Sequence, residues 1–473
     1  MNNLKKFSIS SLNIPIIICF IFFVLYSILG IIRHNYYGSF GADLGFIDRQ
    51  FWIYSNFSLE GLITGSHIEF TSLLLTPLYW IWADPRMLIL FQSFSICSSG
   101  IAIFLLARRN KLNNYLSFVI LLSYLTFFGV QNAVWFDVHT SVWGAAFFMW
   151  FIYFLDNDNK KAAILTFLLT IGSKENFAGY TFLFCLAYFV MTRKKIALGF
   201  AAGSLVYLFF LFRILFPMTL PNGYAYTTKG PVTSISPWQM VDSEAKRKTI
   251  FFTFAWVGFL PILTPIYAIP ILGNLGSYFI LGRGYIAAHE IFMHYRVDLL
   301  PLLLGGLVFT IKKVRLLNNK YIAAYLLVCL LVFQYVLHSP LSYLTKKWFW
   351  TKPSGVDSIN AVIREIPSTA RIAAQNNIYP HVSERNTISL LWPDIRNFKD
   401  DSPCGKSSCP WLGWKFNPEY IIVDLSPEWD IRHLLWQNED YRSAVSGLEK
   451  MGVIQKYKQQ GSTTLYRVLK SPK

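Results

Sequence analysis

Acidic residues, histidines and cations recur together in four polar links of this 473-residue chain, each next to a long apolar run. The first link contains Asp43 and Asp48 and continues to His67. Ionisable groups beside apolar segments are costly, so each one that persists is a candidate functional group. Carboxylates and imidazoles in such places can transfer a proton or hold a metal ion.

Asp43 also has a structural interpretation, because Gly41-Ala42-Asp43 precedes an apolar-periodic segment and an aspartate there can cap a helix. Capping and catalysis are compatible, so both stay open. Asp48 is interpreted either as a binding residue or, with Arg49 and Glu60, as part of a solvated face or an ion pair.

The second and third links are shorter. Asp137 and His139, in WFDVH, are two residues apart and could bind a divalent cation, orient a phosphate through that cation, or pair with each other. Lys174 and Glu175, in GSKEN, could bind the phosphate of an anionic lipid or form an intramembrane pair.

The fourth link reads RGYIAAHEIFMHYRVDLLP. On an α-helix, Glu290, His294 and Asp298 would share one polar face, since they are spaced by four residues. The adjacent Tyr295 and Arg296 add a phenol and a guanidinium, and the fork of a guanidinium suits phosphate oxygens.

The elements that position these links are membrane helices. The chain is 54% hydrophobic and 15% charged, well below the charged share of about 25% in soluble domains. We therefore predict an α-helical polytopic membrane protein. Eleven apolar runs are identified: Ile14–Ile32, Met87–Ala107, Tyr115–Val130, Val142–Leu155, Ala162–Ile171, Phe177–Met191, Ile196–Phe216, Ile250–Leu260, Ile262–Leu275, Leu299–Ile311 and Tyr321–Leu337.

Basic residues favour a cytoplasmic N-terminus, because they concentrate in alternate links. These are Lys5/Lys6, Arg108/Arg109/Lys111, Lys160/Lys161, Arg193/Lys194/Lys195 and Lys312/Lys313/Arg315/Lys320. The stretch with Pro261, Pro265 and Pro270 is either one kinked helix or a tight hairpin, and the hairpin keeps Lys312 inside. The large loop 33–86, the four polar links and the C-terminal region then face outward.

Two regions are predicted, a transmembrane domain over residues 1–338 and an extracytoplasmic α/β domain over 339–473. PSTARIAAQ, PEYIIVDLS and TTLYRVL are typical of strands, and residues 431–451 of a helix. Cys404 and Cys409 could form a disulfide in an oxidising compartment. No basic stripe interleaved with aromatic residues indicates a nucleic-acid partner.

The layout resembles the GT-C superfamily of membrane glycosyltransferases, through Asp43 in a large first outer loop, His67 and the run Pro77-Leu78-Tyr79-Trp80. The patches DLGFIDRQFW, WFDVH, GSKEN, HYRVDLLP and IAAQNNIYPHVSER are similar to a family of multi-pass prokaryotic membrane proteins that shares this layout. One departure concerns the usual pair of adjacent acids, because Leu44 follows Asp43. A second acid would have to be Asp48 or Asp137.

The resemblance implies transfer of a sugar, with inversion, from a polyprenyl-phosphate donor to a glycan, lipid or protein acceptor at the outer face of the cell membrane. Asp43 would be the general base, and Asp137 and His139 would be a second acid or orient a metal. Lys174 and Arg296 would hold phosphate, while His67, Glu175, His294 and Tyr295 would contact substrate. The alternatives are a transporter or lipid flippase, and a non-catalytic assembly protein.

The topology is testable by reporter fusion. Alkaline phosphatase fused after Leu337 should be active, because an odd number of spans from a cytoplasmic N-terminus places residue 339 outside. An inactive phosphatase together with a fluorescent cytoplasmic reporter at the same position would contradict the hairpin.

Substitution tests the predicted base. Asp43→Asn preserves the size of the side chain and much of any capping hydrogen bond. We expect sugar transfer to fall roughly 10²- to 10⁴-fold, the usual effect of removing a general base, while expression and thermal stability are retained. Transfer at the parental rate would assign Asp43 a structural role.

Overall fold

The computed structural model describes residues 12–60, 67–220, 236–281, 286–397 and 408–470. Within them the chain forms two compact units. The helical unit comprises the chain as far as Leu29, Glu60–Leu75 and Leu90–Tyr343. The sheet unit comprises Gly30–Leu59, Thr76–Ile89 and the chain from Leu344 onward.

Twenty α-helices lie in the described residues. The first ten are α1 (Asn13–Asn35), α2 (Phe46–Ser55), α3 (Phe70–Leu75), α4 (Pro77–Ile81), α5 (Pro85–Arg109), α6 (Asn114–Leu125), α7 (Phe128–Phe136), α8 (Thr140–Asp156), α9 (Lys160–Ile171) and α10 (Asn176–Thr192). The others are α11 (Ile196–Phe210), α12 (Phe216–Thr219), α13 (Glu244–Ala255), α14 (Pro265–Gly276), α15 (Leu300–Lys313), α16 (Lys320–Leu337), α17 (Lys347–Trp350), α18 (Gly355–Ile363), α19 (Ile431–Leu434) and α20 (Asn438–Lys450).

Every predicted apolar run overlaps at least one helix. Six stretches are long and apolar enough to cross a membrane: Asn13–Asn35, Pro85–Arg109, Asn114–Phe136, Ile196–Thr219, Ala287–Lys313 and Lys320–Leu337. In α16 only 17% of the apolar window is buried, so most of this helix presents apolar side chains outward, as contact with lipid requires. The protein is therefore a multi-pass membrane protein, and the larger count of eleven spans stays a prediction.

The proline-rich stretch is not one kinked helix. Residues 256–264 separate α13 from α14, and Gly258 and Phe259 both adopt a positive φ there. An interruption of this kind is what the hairpin interpretation requires.

Four basic links of the helical unit lie together, and we call this place the basic end. They are residues 108–113, 156–160, 193–195 and 312–320. The side chain of Asn318 accepts a hydrogen bond from Asn113 N (2.9 Å) and donates one to Lys111 O (2.9 Å). Arg109 and Lys194 both donate to the carbonyl of Asp156, at 2.8 and 3.0 Å. Links that the charge pattern assigns to one side of the membrane are thus joined directly.

The opposite ends of the same helices meet elsewhere, at a place we call the polar end, which comprises residues 67–71, 137–139, 172–175 and 290–299. Thr71 N donates to Gly172 O (2.9 Å), and Asn176 Nδ2 donates to Asp298 Oδ2 (3.0 Å). Helices α8, α10 and α15 begin there and finish at the basic end, whereas α9 runs the other way. The acidic links and the basic links therefore occupy opposite ends of the helical unit.

The sheet unit contains a mixed five-stranded sheet with the strand order β2-β1-β5-β7-β6. Strand β1 is parallel to β2 and β5, whereas β7 is antiparallel to β5 and β6. Strands β3 and β4 form a separate antiparallel pair. The strands are β1 (Ile372–Ala374), β2 (Ile388–Leu390), β3 (Trp392–Asn397), β4 (Ser408–Gly413), β5 (Tyr420–Asp424), β6 (Ile454–Gln460) and β7 (Thr463–Val468).

The prediction of an α/β C-terminal region is confirmed. The three predicted strands are β1, β5 and β7, and α18 and α20 pack into the core of the sheet. The segment 431–451 consists of two helices, α19 and α20, because Leu435 adopts a left-handed conformation that ends the first of them.

Two parts of the first loop, residues 33–59 and 76–86, belong to the same unit. Tyr37 is fully buried in the core of the sheet unit, and its hydroxyl donates to Asn360 Oδ1 (2.7 Å). Gly41 N donates to Asn376 O (2.7 Å). The compact units thus differ from the division at residue 338, because residues 30–59 and 76–89 pack with the C-terminal region.

Candidate functional site

The polar end of the helical unit collects most of the side chains singled out in the sequence. We call this set the polar cluster. Its members are His67, Glu69, Asp137, His139, Thr140, Lys174, Glu175, Asn176, Tyr278, His294, Tyr295, Arg296 and Asp298. They come from links distant in the chain, so only the packing of the helices brings them together.

A histidine and a glutamate form the first contact of the polar cluster. His67 Nδ1 lies 2.7 Å from Oε1 of Glu175, and the His67 side chain is 21% exposed. Burial and the nearby ammonium of Lys174 lower the pKa of His67, while Glu175 opposes this shift. Glu175 therefore pairs with His67, and Lys174 makes no ion pair within the described ranges, so the proposed Lys174–Glu175 pair is not formed there.

The segment after His67 is fixed by its backbone. Thr71 bonds through N to Gly172 O and through Oγ1 to Leu169 O (2.8 Å) at the end of α9. A Cβ at Gly172 would lie 2.9 Å from Thr71 Oγ1, which is too close, so glycine permits this approach. Because Gly172 is three residues before Glu175, the same contacts bring His67 and Glu175 together.

Glu69 is a second buried carboxyl group in this segment. Thr140 Oγ1 donates to Glu69 Oε1 at 2.8 Å. Burial raises the pKa of Glu69 to about 7, and the hydrogen bond from Thr140 acts in the opposite direction. The first loop thus contributes an imidazole and a carboxyl group to the polar cluster.

The break between α7 and α8 holds Asp137 and His139. Gln92 of α5 fixes it, because its Nε2 donates to Asp137 O (3.1 Å) and its Oε1 accepts from His139 N (3.0 Å). The His139 ring stacks on His294 with 3.6 Å between ring centroids. The Tyr295 ring lies 4.0 Å from the His294 ring. The sequence did not indicate Gln92 or the pairing of the two histidines.

The metal interpretation of Asp137 and His139 gains no support. In the part of the chain that the structure describes, no group of three or more His, Cys, Asp or Glu side chains is placed to hold a metal ion.

Arg296 is a fully enclosed charged residue of the polar cluster. It is 0% exposed, and its Nη2 donates to Ala288 O. Its Nε and Nη1 have no hydrogen-bond partner among the described residues. The guanidinium lies 4.8 Å from the ring centre of Tyr278, a cation–π contact. A buried charge with unsatisfied donors is costly, and an anion bound to either donor would compensate part of that cost.

Asp298 acts electrostatically on the guanidinium, but within the described residues it forms no hydrogen bond with Nε or Nη1. Its Oδ2 accepts hydrogen bonds from Asn176 (3.0 Å) and from the hydroxyl of Tyr278 (2.6 Å), and its Oδ1 has no partner in the described ranges. Asp298 thus orients Asn176 and Tyr278 around the guanidinium. The expected α-helical spacing is wrong here, because residues 290–293 are not helical and His294–Leu299 is a 3₁₀ helix.

The other predicted residues of the first loop lie in the sheet unit. Asp43 is partly exposed within a π-helical turn, Gly41–Gly45, which runs directly into α2 and has Phe40 as its N-cap, so Asp43 does not occupy the predicted N-cap position.

Asp48 is not on a solvated face, and that interpretation is wrong. Its carboxylate is fully buried and accepts hydrogen bonds from the hydroxyls of Tyr79 and Ser383, the latter at 2.5 Å. Burial raises the pKa of Asp48 to about 7, although both hydroxyls act in the opposite direction. These partners are 31 and 335 residues away, and no local pattern marks them. Arg49 instead donates to Asn386 O (3.0 Å).

Cys404 lies outside the described residues, and Cys409 is buried on β4. Cys409 is a free thiol among the described residues, so they give the predicted disulfide no support.

Comparison with known proteins places the chain in a family. Residues 50–435 match the family described as predicted membrane protein, DUF2079, and the chain belongs to it. No curated protein matches the chain.

Asp48 should make the stability of the sheet unit depend on pH. Its pKa is raised above that of an unfolded aspartate, so its contribution is complete below about pH 4 and is lost as the pH rises through about 7. Raising the pH from 5 to 8 should therefore lower the thermal unfolding midpoint of the parental protein more than that of Asp48→Asn. Expressed as free energy of unfolding, the pH-dependent loss should be larger in the parental protein by roughly a few kcal/mol.

Scanning fluorimetry in detergent measures this difference, and Asp43→Asn, at a partly exposed position, should retain the parental dependence. Identical pH dependence in the parental and Asp48→Asn proteins would mean that Asp48 stays ionised when buried.

Proposed function

We propose that this member of the DUF2079 family of predicted membrane proteins is a glycosyltransferase. It moves a sugar, with inversion, from a polyprenyl-phosphate donor to an acceptor at the outer face of the cell membrane. The observation that carries the proposal is the buried guanidinium of Arg296, which has two N–H donors without a partner among the described residues.

A lipid phosphate fits this guanidinium by charge. Its oxygens can accept a hydrogen bond from Nε on one side of the guanidinium or from Nη1 on the other, and charge-assisted bonds of this kind are strong. Lys174 adds a second positive charge to the polar cluster, since its ammonium acts electrostatically on Asp298, His67 and Glu69. Two cations that receive the departing phosphate would stabilise the charge that develops as the bond to the sugar breaks.

The location of the cluster favours a lipid-linked donor. The polar cluster lies at the ends of apolar helices, where the headgroup of a membrane lipid also lies. The basic end, which the positive-inside rule assigns to the cytoplasm, is at the other end of the helical unit. The proposed reaction therefore takes place on the extracytoplasmic side.

The GT-C resemblance assigns the role of general base to Asp43, which is partly exposed. The acceptor would be a glycan, a lipid or a protein.

Transport is the less well supported alternative. A transporter or flippase needs charged groups along a path through the bilayer. The ionisable residues of the helical unit instead collect mainly at its two ends. Acids and histidines are concentrated at the polar end, and lysines and arginines at the basic end. A non-catalytic assembly protein would not require a buried guanidinium with unsatisfied donors.

Binding of a product analogue tests the phosphate site. Polyprenyl phosphate should bind the purified protein, and Arg296→Gln and Lys174→Gln should each weaken it tenfold or more, since a hydrogen bond to a charged group contributes roughly 1.5–3 kcal/mol. Uncharged polyprenol serves as the control ligand. The matched control variant is Lys312→Gln, an exposed lysine at the basic end.

Arg296→Lys complements Arg296→Gln, because it keeps the charge and removes the fork. Equal affinity for polyprenol and polyprenyl phosphate, or equal losses in Lys174→Gln and Lys312→Gln, would overturn the phosphate site. In cells, the deletion strain should accumulate a lipid-linked sugar, and Arg296→Gln should fail to remove it.

A further inference from the structure

The contact between His67 and Glu175 decides which nitrogen of the imidazole carries the proton. Glu175 is buried, with 5% of its side chain exposed, whereas the imidazole is partly accessible. A carboxylate at Nδ1 fixes the tautomer of a neutral histidine, because Nδ1 keeps its proton to donate to the carboxylate. Nε2 is then the nitrogen that can accept a proton.

The three residues 174–176 connect this pair to the proposed phosphate site. Glu175 bonds to His67, and Asn176 donates to Asp298, which also accepts from Tyr278, the ring beneath the Arg296 guanidinium. Lys174 precedes them and acts electrostatically on both His67 and Asp298. One short turn before α10 therefore positions an imidazole and an anion site in the same unit.

The charge state of the imidazole suits a base. Burial and Lys174 lower the pKa of His67 below its ordinary range, so the ring is neutral near pH 7. Glu175 opposes part of this decrease in the pKa of His67. It would also stabilise the imidazolium that forms when His67 accepts a proton.

We propose that His67, oriented by Glu175, is the general base of the transfer, a role that the GT-C resemblance assigns to Asp43. This inference rests on the proposed function. Nε2 of His67 takes the proton of the acceptor hydroxyl as its oxygen bonds to the anomeric carbon. The bond from that carbon to the phosphate oxygen breaks, and its electron pair leaves with the polyprenyl phosphate held by Arg296 and Lys174. His67 is the catalytic residue, and Glu175 is a positioning residue.

Two variants separate chemistry from folding. His67→Asn keeps a side-chain N–H that can donate to Glu175 and lacks the basic nitrogen, while His67→Gln places an amide near the Nε2 position. The assay uses the purified full chain, a panel of synthetic polyprenyl-phosphate hexoses and pentoses, and membranes of the deletion strain as acceptor. Release of polyprenyl phosphate is measured across pH 4.5–8.5, a range set by the ordinary histidine pKa of about 6.5.

Both His67 variants should release polyprenyl phosphate roughly 10²- to 10⁴-fold more slowly and bind polyprenyl phosphate with parental affinity. The parental rate should fall as the pH drops through the pKa of His67, and this acid limb should be absent in both variants. Glu175→Gln should shift the limb to lower pH, because Glu175 raises the pKa of His67. A merely structural Glu175 would not move it.

The limb should persist in Asp43→Asn and in Lys312→Gln. Parental rates in both His67 variants, or a limb that disappears in Asp43→Asn and remains in His67→Gln, would overturn the assignment and return the base to Asp43. Absence of release by the parental protein from every donor, with no binding of polyprenyl phosphate, would instead overturn the proposed function and the inference with it.

Discussion

The architecture of the helical unit follows from one constraint, which is that hydrocarbon solvates neither charges nor unpaired backbone groups. Apolar segments therefore become helices, and charged residues concentrate near the ends of the helices and in the links between them. Because successive helices run in opposite directions, the links alternate between two ends. At the basic end the cations contact backbone carbonyls and Asp158. Lys194 Nζ lies 2.7 Å from Asp158 Oδ1. At the polar end acids, histidines and cations lie together within a buried cluster.

Close packing decides which groups meet in that cluster. A Cβ at Gly129 of α7 would lie 2.7 Å from the backbone carbon of Arg296, so only glycine lets this helix rest directly on the segment that bears the guanidinium. Asn132, on the same helix, donates to Ile291 O (2.9 Å) and fixes the preceding residues. These contacts fix the backbone of the segment that bears the guanidinium. Donors positioned in this way can bind an anion with little rearrangement.

The sheet unit shows how an insertion between two membrane helices becomes part of a distant domain. Tyr37 enters the core that β1, β5 and β7 build, and the Asp48 carboxylate joins α2, α4 and the segment that contains Ser383. Each polar contact is buried, so removal of either partner would leave a desolvated group without compensation. Residues 30–59 and 76–89 of the chain and the C-terminal region therefore share one core. A chain cut after residue 338 would expose the apolar surface around Tyr37.

The sequence by itself determined the membrane class, the helical runs, the alternation of basic and acidic links and the α/β character of the last region. These features depend on local composition and period, which are visible along the chain. It also identified His67, Glu175 and Arg296 as candidates, because charges beside apolar runs are conspicuous. Only the tertiary structure decided that Glu175 pairs with His67, that Arg296 keeps two unsatisfied donors, and that Asp48 is buried under Tyr79 and Ser383. Such contacts join residues up to 335 positions apart, and packing rather than local periodicity selects them.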